Sequence, residues 1–165
     1  MNPDDSPENL SPEKYQRHIP ELPATAFNAW KKPQRALNPV AVIATVDPDG
    51  TPHTAPFGSL RAVTPRLLRF ITWHGHDTYT NICRDGRVMV FLLSPPDSAV
   101  SVRGKATVIK EHMEADNSYA VVEVSIDSVK NDMVPRILLD TALTISVPDQ
   151  YAAWFEKVLG EIESV

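Results

Sequence analysis

Cysteine is almost missing from this chain: Cys83 stands alone among 165 residues. One thiol excludes an intramolecular disulfide framework and fits a reducing compartment. Long apolar runs are missing too, and none approaches the roughly 18 residues a membrane-spanning helix requires. Residues 1–10 carry neither the basic start nor the apolar stretch of a secretion signal. A cytoplasmic protein without membrane partners is expected. Basic blocks are lacking as well: 16 Lys and Arg face 21 Asp and Glu, for a net charge of −5. That balance argues against a nucleic-acid partner. Glycine is scarce at 6 residues while proline reaches 15, about twice its usual share. Many short elements are therefore expected, and a long-helix bundle is excluded. There is no phosphate-binding Walker loop, no G-x-G-x-x-G and no G-x-S-x-G.

What remains is an ordinary globular composition, 42% hydrophobic and 22% charged, long enough for one domain with a substantial core. Residues 1–37 are punctuated by Pro3, Pro7, Pro12, Pro20, Pro23 and Pro33. They read as an arm lying over the domain. Ser11-Pro12-Glu13 has the form of a helix start. Residues 25–32 read as a second short helix, with Phe27 and Trp30 covering the core. From residue 38 the pattern turns to strands, expected at 40–46, 52–63, 67–74, 87–94, 99–111, 120–128 and 141–147. The first, continuously apolar, reads as buried on both faces. Asp47-Pro48-Asp49-Gly50 is a turn: proline sets φ and glycine accepts the left-handed position. Pro56 and Gly58 are poor choices for a central strand and suit a bulge or a close approach to a ligand. Asp77 or Thr78 starts a short helix running to about residue 84. After Pro148, Tyr151, Trp154, Phe155, Val158, Leu159 and Ile162 trace one face of an amphipathic helix, where packing or dimer contact is the expected role. The sum is an all-β fold: a six- to seven-stranded β-barrel with minor helices, an N-terminal arm and a C-terminal amphipathic helix.

The densest group of unusual residues is 70–82. A strand end, the Gly75 break and a helix start make an anion site, with free N–H groups and the hydroxyls of Thr72, Thr78 and Thr80. The competing reading has Thr78 capping the helix and the histidines in solvent. His74-x-His76 has a spacing that can share a metal, but His18, His53 and His112 add no paired spacing, so no metal is expected. Cys83 reads as a small buried thiol. Arg66 and Arg69 read as surface charges, and Glu161 and Glu163 as a solvated face. No catalytic residue can be assigned.

Four stretches, at 42–56, 68–82, 85–90 and 100–108, together resemble the FMN-binding split barrels, the family of pyridoxamine 5′-phosphate oxidase and many flavin reductases. The resemblance covers about residues 38–128 and makes residues 38–165 the FMN-binding domain. It implies a split barrel, FMN as cofactor, and a homodimer with the flavin at the subunit interface. It implies that Pro56, Phe57, Gly58, Ser59, Leu60 and Arg61 lie along the flavin ring. Thr72 and Trp73 would face the ribityl chain or ring, His76, Asp77 and Thr78 would hold the phosphate, and Asn81 would anchor the helix. The oxidases carry a basic pair where this chain has Asp77-Thr78, so Arg61, Arg103 or Lys105 would supply the balancing charge. The signatures of the vitamin B6 oxidase itself are not recognisable. The expectation is an FMN-dependent oxidoreductase with a small-molecule substrate or nicotinamide donor. Alternatives are a deazaflavin reductase of the same fold and a non-catalytic flavin- or haem-binding protein.

Overall fold

The computed structural model describes residues 18–32 and 35–165; the helix start read at Ser11 lies outside them. The elements are α1 (Ala24–Trp30), β1 (Ala41–Val46), β2 (Pro52–Phe57), β3 (Arg61–Thr64), β4 (Leu67–Trp73), α2 (Asp77–Arg84), β5 (Arg87–Ser94), β6 (Ser98–Lys110), β7 (Tyr119–Asn131) and α3 (Asp149–Ser164). All strand pairs are antiparallel, in one sheet ordered β2-β1-β5-β6-β7-β4-β3.

The two ends of that order are continuous in the chain. The extended run at 52–63 breaks at residues 58–60: its first half pairs with β1 and its second with β4. The sheet thus curls into a split barrel, open along the unpaired side of that run. The β1–β2 turn forms as its residues dictate, with Gly50 N–H donating to Asp47 O at 2.9 Å and Gly50 at φ +88°. Burial alternates along β1, so its continuous apolar run encloses one face, not both.

The barrel interior is filled by Phe70, Ile43, Leu60, Leu68, Leu92 and Val90, and Trp30 of α1 plugs it at 0% exposure with its indole N–H on Ser94 Oγ at 3.0 Å. β4 is buried on both sides because α3 covers its outer face. Ile71, Met113, Val121, Val158, Leu159 and Ile162 form that second apolar cluster. Trp154 and Phe155 pack at its margin, while Tyr151 is exposed.

Several charges read as surface groups are structural. Arg69 is buried: it donates to Glu123 Oε2 at 2.6 Å and to Ile162 O and Val165 O, closing the C-terminal carbonyls of α3. Glu161 accepts the N–H groups of Glu114 and Ala115 at 2.8 Å and pairs with Lys110. Glu163 pairs with Arg61 at 2.6 Å. Arg66 is exposed, with Glu21 as partner. Cys83 is exposed, not buried.

No strand forms at 141–147. Residues 141–147 have one backbone hydrogen bond to the barrel side, Val40 N–H to Leu143 O at 2.8 Å, and no ladder. Pro39 offers no N–H for a ladder. The Asn38 side chain takes its place, accepting from Ile145 N–H at 2.8 Å and donating to Ile145 O at 2.9 Å.

Candidate functional site

The split in the barrel faces the start of α2. Phe57, at the end of β2, packs edge-on against Phe70 and His76, with ring centroids at 5.0 and 5.7 Å; His53 of β2 is 6.1 Å from His76. His76, rather than Asp77 or Thr78, is the N-cap. Its Nδ1 accepts the Thr78 N–H at 3.1 Å, and its carbonyl takes the N–H groups of Tyr79 and Thr80. Of the N–H groups expected to be free at the helix start, that of Thr78 is therefore taken by the cap itself. An imidazole that accepts at Nδ1 carries its proton on Nε2, so His76 presents a ring N–H as donor.

Below this cap the polar groups fall into two sets. The Asn81 amide nitrogen is engaged: Nδ2 donates to Thr45 Oγ1 at 3.0 Å and Asp47 Oδ1 at 2.8 Å, tying α2 to the end of β1 and its turn. Three atoms are buried without a hydrogen-bond partner among the described residues: His53 Nε2, Thr72 Oγ1 and Thr78 Oγ1. Such groups cost about 1–3 kcal/mol each when left unpaired, so a cluster of them at one barrel end is a signal. Asp77, in the first turn, is exposed.

The expected flavin-facing strand is divided by the bend. Pro56 is exposed, and Phe57, Ser59, Leu60 and Arg61 are buried. The Ser59 hydroxyl accepts the Ile71 N–H at 3.1 Å. Gly58 is a position of close approach, but the approaching groups are in the same chain: a Cβ there would lie 2.8 Å from Ile145 Cδ1 and 3.3 Å from Leu37 O. Arg61 does not reach the α2 start. Its guanidinium is consumed by Glu163 Oε1, Ala36 O at 3.0 Å and Ser59 O at 3.1 Å. Trp73 lies half-exposed with its ring folded over the Gly75 backbone. His74 is turned away from the cap, its Nε2 on Glu111 O at 2.7 Å and its ring against His112. Among the described residues no group of three or more His, Cys, Asp or Glu could hold a metal ion.

Behind the bend lies a residue the sequence reading passed over. Lys32, 3% exposed, donates from Nζ to Gly58 O at 3.0 Å and Leu37 O at 3.2 Å and stands 4.9 Å from the Trp30 ring centroid. Burial, reinforced by the Arg61 charge, lowers its pKa to about 7. No helix among the described residues is long and apolar enough to cross a membrane.

A barrel opened along one bent strand, with a helix start at the opening, defines the split-barrel class. The family model described as pyridoxamine 5′-phosphate oxidase matches residues 32–142, and the chain belongs to that family. No curated protein matches the chain. Solved structures similar to it include a Lactobacillus delbrueckii protein provisionally named a pyridoxamine 5′-phosphate oxidase, with 24% identity, TM-score 0.56 and coverage of 70% of this chain and 98% of that one. An F420 reductase is similar at 18% identity and TM-score 0.53, covering 66% and 98%. HupZ of Group A Streptococcus is similar at 15% identity and TM-score 0.53, covering 76% and 99%. At these identities the likeness is one of fold.

Proposed function

We propose that the chain is a flavin-dependent oxidoreductase that binds FMN at the split of the barrel and completes its site with a second copy. On this reading residues 38–165 are the binding domain and the preceding arm braces it. The observation that carries the proposal is the trio of unpartnered buried polar atoms, His53 Nε2, Thr72 Oγ1 and Thr78 Oγ1, beside the His76 cap. Two hydroxyl donors and the His76 Nε2–H suit a phosphate group without needing a basic pair. Asn81 holds the helix that carries them. Arg61 contributes its backbone to the ring site, because Glu163 already holds its side chain. The exposed apolar residues Val134, Ile137, Leu138, Leu143 and Ile145 support a second copy as partner.

When bound, the flavin supplies two-electron transfer between a reduced nicotinamide or second flavin and a small-molecule acceptor. The chain's task is to bind and orient that group, which agrees with the lack of a convincing acid–base pair. The test is uptake of FMN by the full chain, read by flavin fluorescence quenching and by colour, with Thr72→Ala/Thr78→Ala beside it. Wild-type protein becomes yellow, and the variant binds about tenfold or more weakly through lost hydrogen bonds to a charged group. Unchanged affinity in the variant would overturn the phosphate placement. Uptake of a deazaflavin in preference to FMN, seen as absorption at shorter wavelength, would reassign the cofactor.

A further inference from the structure

The outer face of the barrel carries a second polar cup, built by four elements. Met89 of β5, Ser101 and Arg103 of β6, and Ser128 and Lys130 of β7 line it, with Asp132 and His18 at its margin. Two local features create it. The β6–β7 register shifts between Arg103 and Gly104, so that Arg103 faces Ser128 while Gly104 faces Ile126. This bulge resets the alternation of β7 and turns Ser128 and Lys130 to the same outer face as Ser101 and Arg103. The arm then adds a wall: Ile19 and Val129 exchange backbone hydrogen bonds at 2.9 and 2.7 Å, which sets His18 beside the cup.

The charges within the cup are unequal. Asp132 accepts from Lys130 Nζ at 2.8 Å and from the Ser101 hydroxyl, fixing both donors in place. Burial pushes the Asp132 carboxyl up, but these hydrogen bonds outweigh it and hold it below the usual range, so the carboxylate is ionised. Arg103 has no carboxylate partner among the described residues. Among the described residues the cup is left with one positive charge in excess, a guanidinium fork that none of them pairs, and the Ser128 hydroxyl. Its volume is about 120 Å³. At about 30 Å³ per water, that is room for one tetrahedral oxyanion with a water or two.

We infer that this cup binds a phosphate group, with Arg103 as its principal ligand and Lys130, Ser101 and Ser128 around it. Donors arriving from two strands, with His18 of the arm at the margin, suit a tetrahedral group better than a planar carboxylate. The phosphate can belong to a separate small molecule or to the cofactor of a second copy; the chemistry recognised is the same. The inference does not depend on the flavin reading.

The test is titration of the full-length protein with inorganic phosphate at constant ionic strength, read by calorimetry or phosphorus NMR. Arg103→Ala weakens binding about tenfold or more, as for a lost charged hydrogen bond, and Arg66→Ala, an exposed charge paired with Glu21 away from the cup, leaves it unchanged. Equal affinity in wild type and Arg103→Ala, or no phosphate binding by wild type, would overturn the inference. Repeating the titration after saturation with FMN separates the sources. Loss of the phosphate signal assigns the cup to the cofactor's phosphate, and its persistence assigns it to a second ligand. Arg103-dependent phosphate binding by a protein that takes up no FMN would sink the flavin reading and leave this one standing.

Discussion

Lys32 places a charge where the fold pays for it, and replacing it with methionine exposes the cost. In the folded chain its pKa is about 7, against 10.5 for a free lysine. At pH values between these two, the unfolded chain holds one proton more than the folded one, so stability rises with pH; below about pH 7 both states are charged and the dependence stops. The gap corresponds to about 5 kcal/mol at neutral pH, at about 1.4 kcal/mol per pH unit. Lys32→Met removes that term and leaves Gly58 O and Leu37 O without their donor, a loss of about 1–3 kcal/mol for each carbonyl. The two effects nearly cancel near neutrality, so the slope is the measurement. Between about pH 7 and about pH 9.5 the wild type should gain roughly 3 kcal/mol on the variant. In urea unfolding this is a relative midpoint shift of about 1–3 M. Other groups that titrate in this range are common to both proteins and drop out of the comparison. If the midpoint difference is the same at both pH values, Lys32 keeps an ordinary pKa and the reading of its burial is wrong.

Two further outcomes follow from the packing. Arg61→Ala takes the 2.6 Å partner from Glu163 but leaves it the Arg35 N–H at 3.0 Å and the Arg35 guanidinium at 3.9 Å. Since Glu163 is also one-third exposed, the destabilisation falls below the roughly 3–5 kcal/mol of a fully orphaned buried charge, at about 1–3 kcal/mol. Arg61→Met with Glu163→Leu recovers most of it, both read by thermal unfolding. Phe70→Ala opens a cavity at a fully buried position and costs about 3–5 kcal/mol, read as a lowered urea midpoint.

The strands were legible where local pattern and tertiary fate coincide. β5 was readable in full because a strongly apolar run bounded by Gly86 and Pro95-Pro96 admits little else, and α3 because its apolar spacing matches one helical face. In the run at 52–63, Pro56 and Gly58 marked an irregularity but not a change of partner: what packs against Gly58, Leu37 and Ile145, comes from far along the chain. Alternation at 141–147 misled because a strand needs a neighbour with free N–H groups, and Pro39 stands where that neighbour would be. At the site, residues 70–82 stood out by composition alone. The partners of Arg61 and Arg69 lie 102 and 54 positions away, a distance no local pattern carries. Lys32 and the cup around Arg103 were invisible for the same reason: one is made by what covers it, the other by a bulge and a crossing arm.

The three indoles occupy three depths. Trp30 is sealed inside the barrel, Trp73 is half in solvent beside the split, and Trp154, on the last helix, donates from Nε1 to Asp116 Oδ2 at 3.0 Å. Their emission is therefore a built-in set of reporters. Detachment of the arm shifts the bluest component, occupation of the split quenches the reddest, and fraying of the terminal helix alters the third without touching the other two.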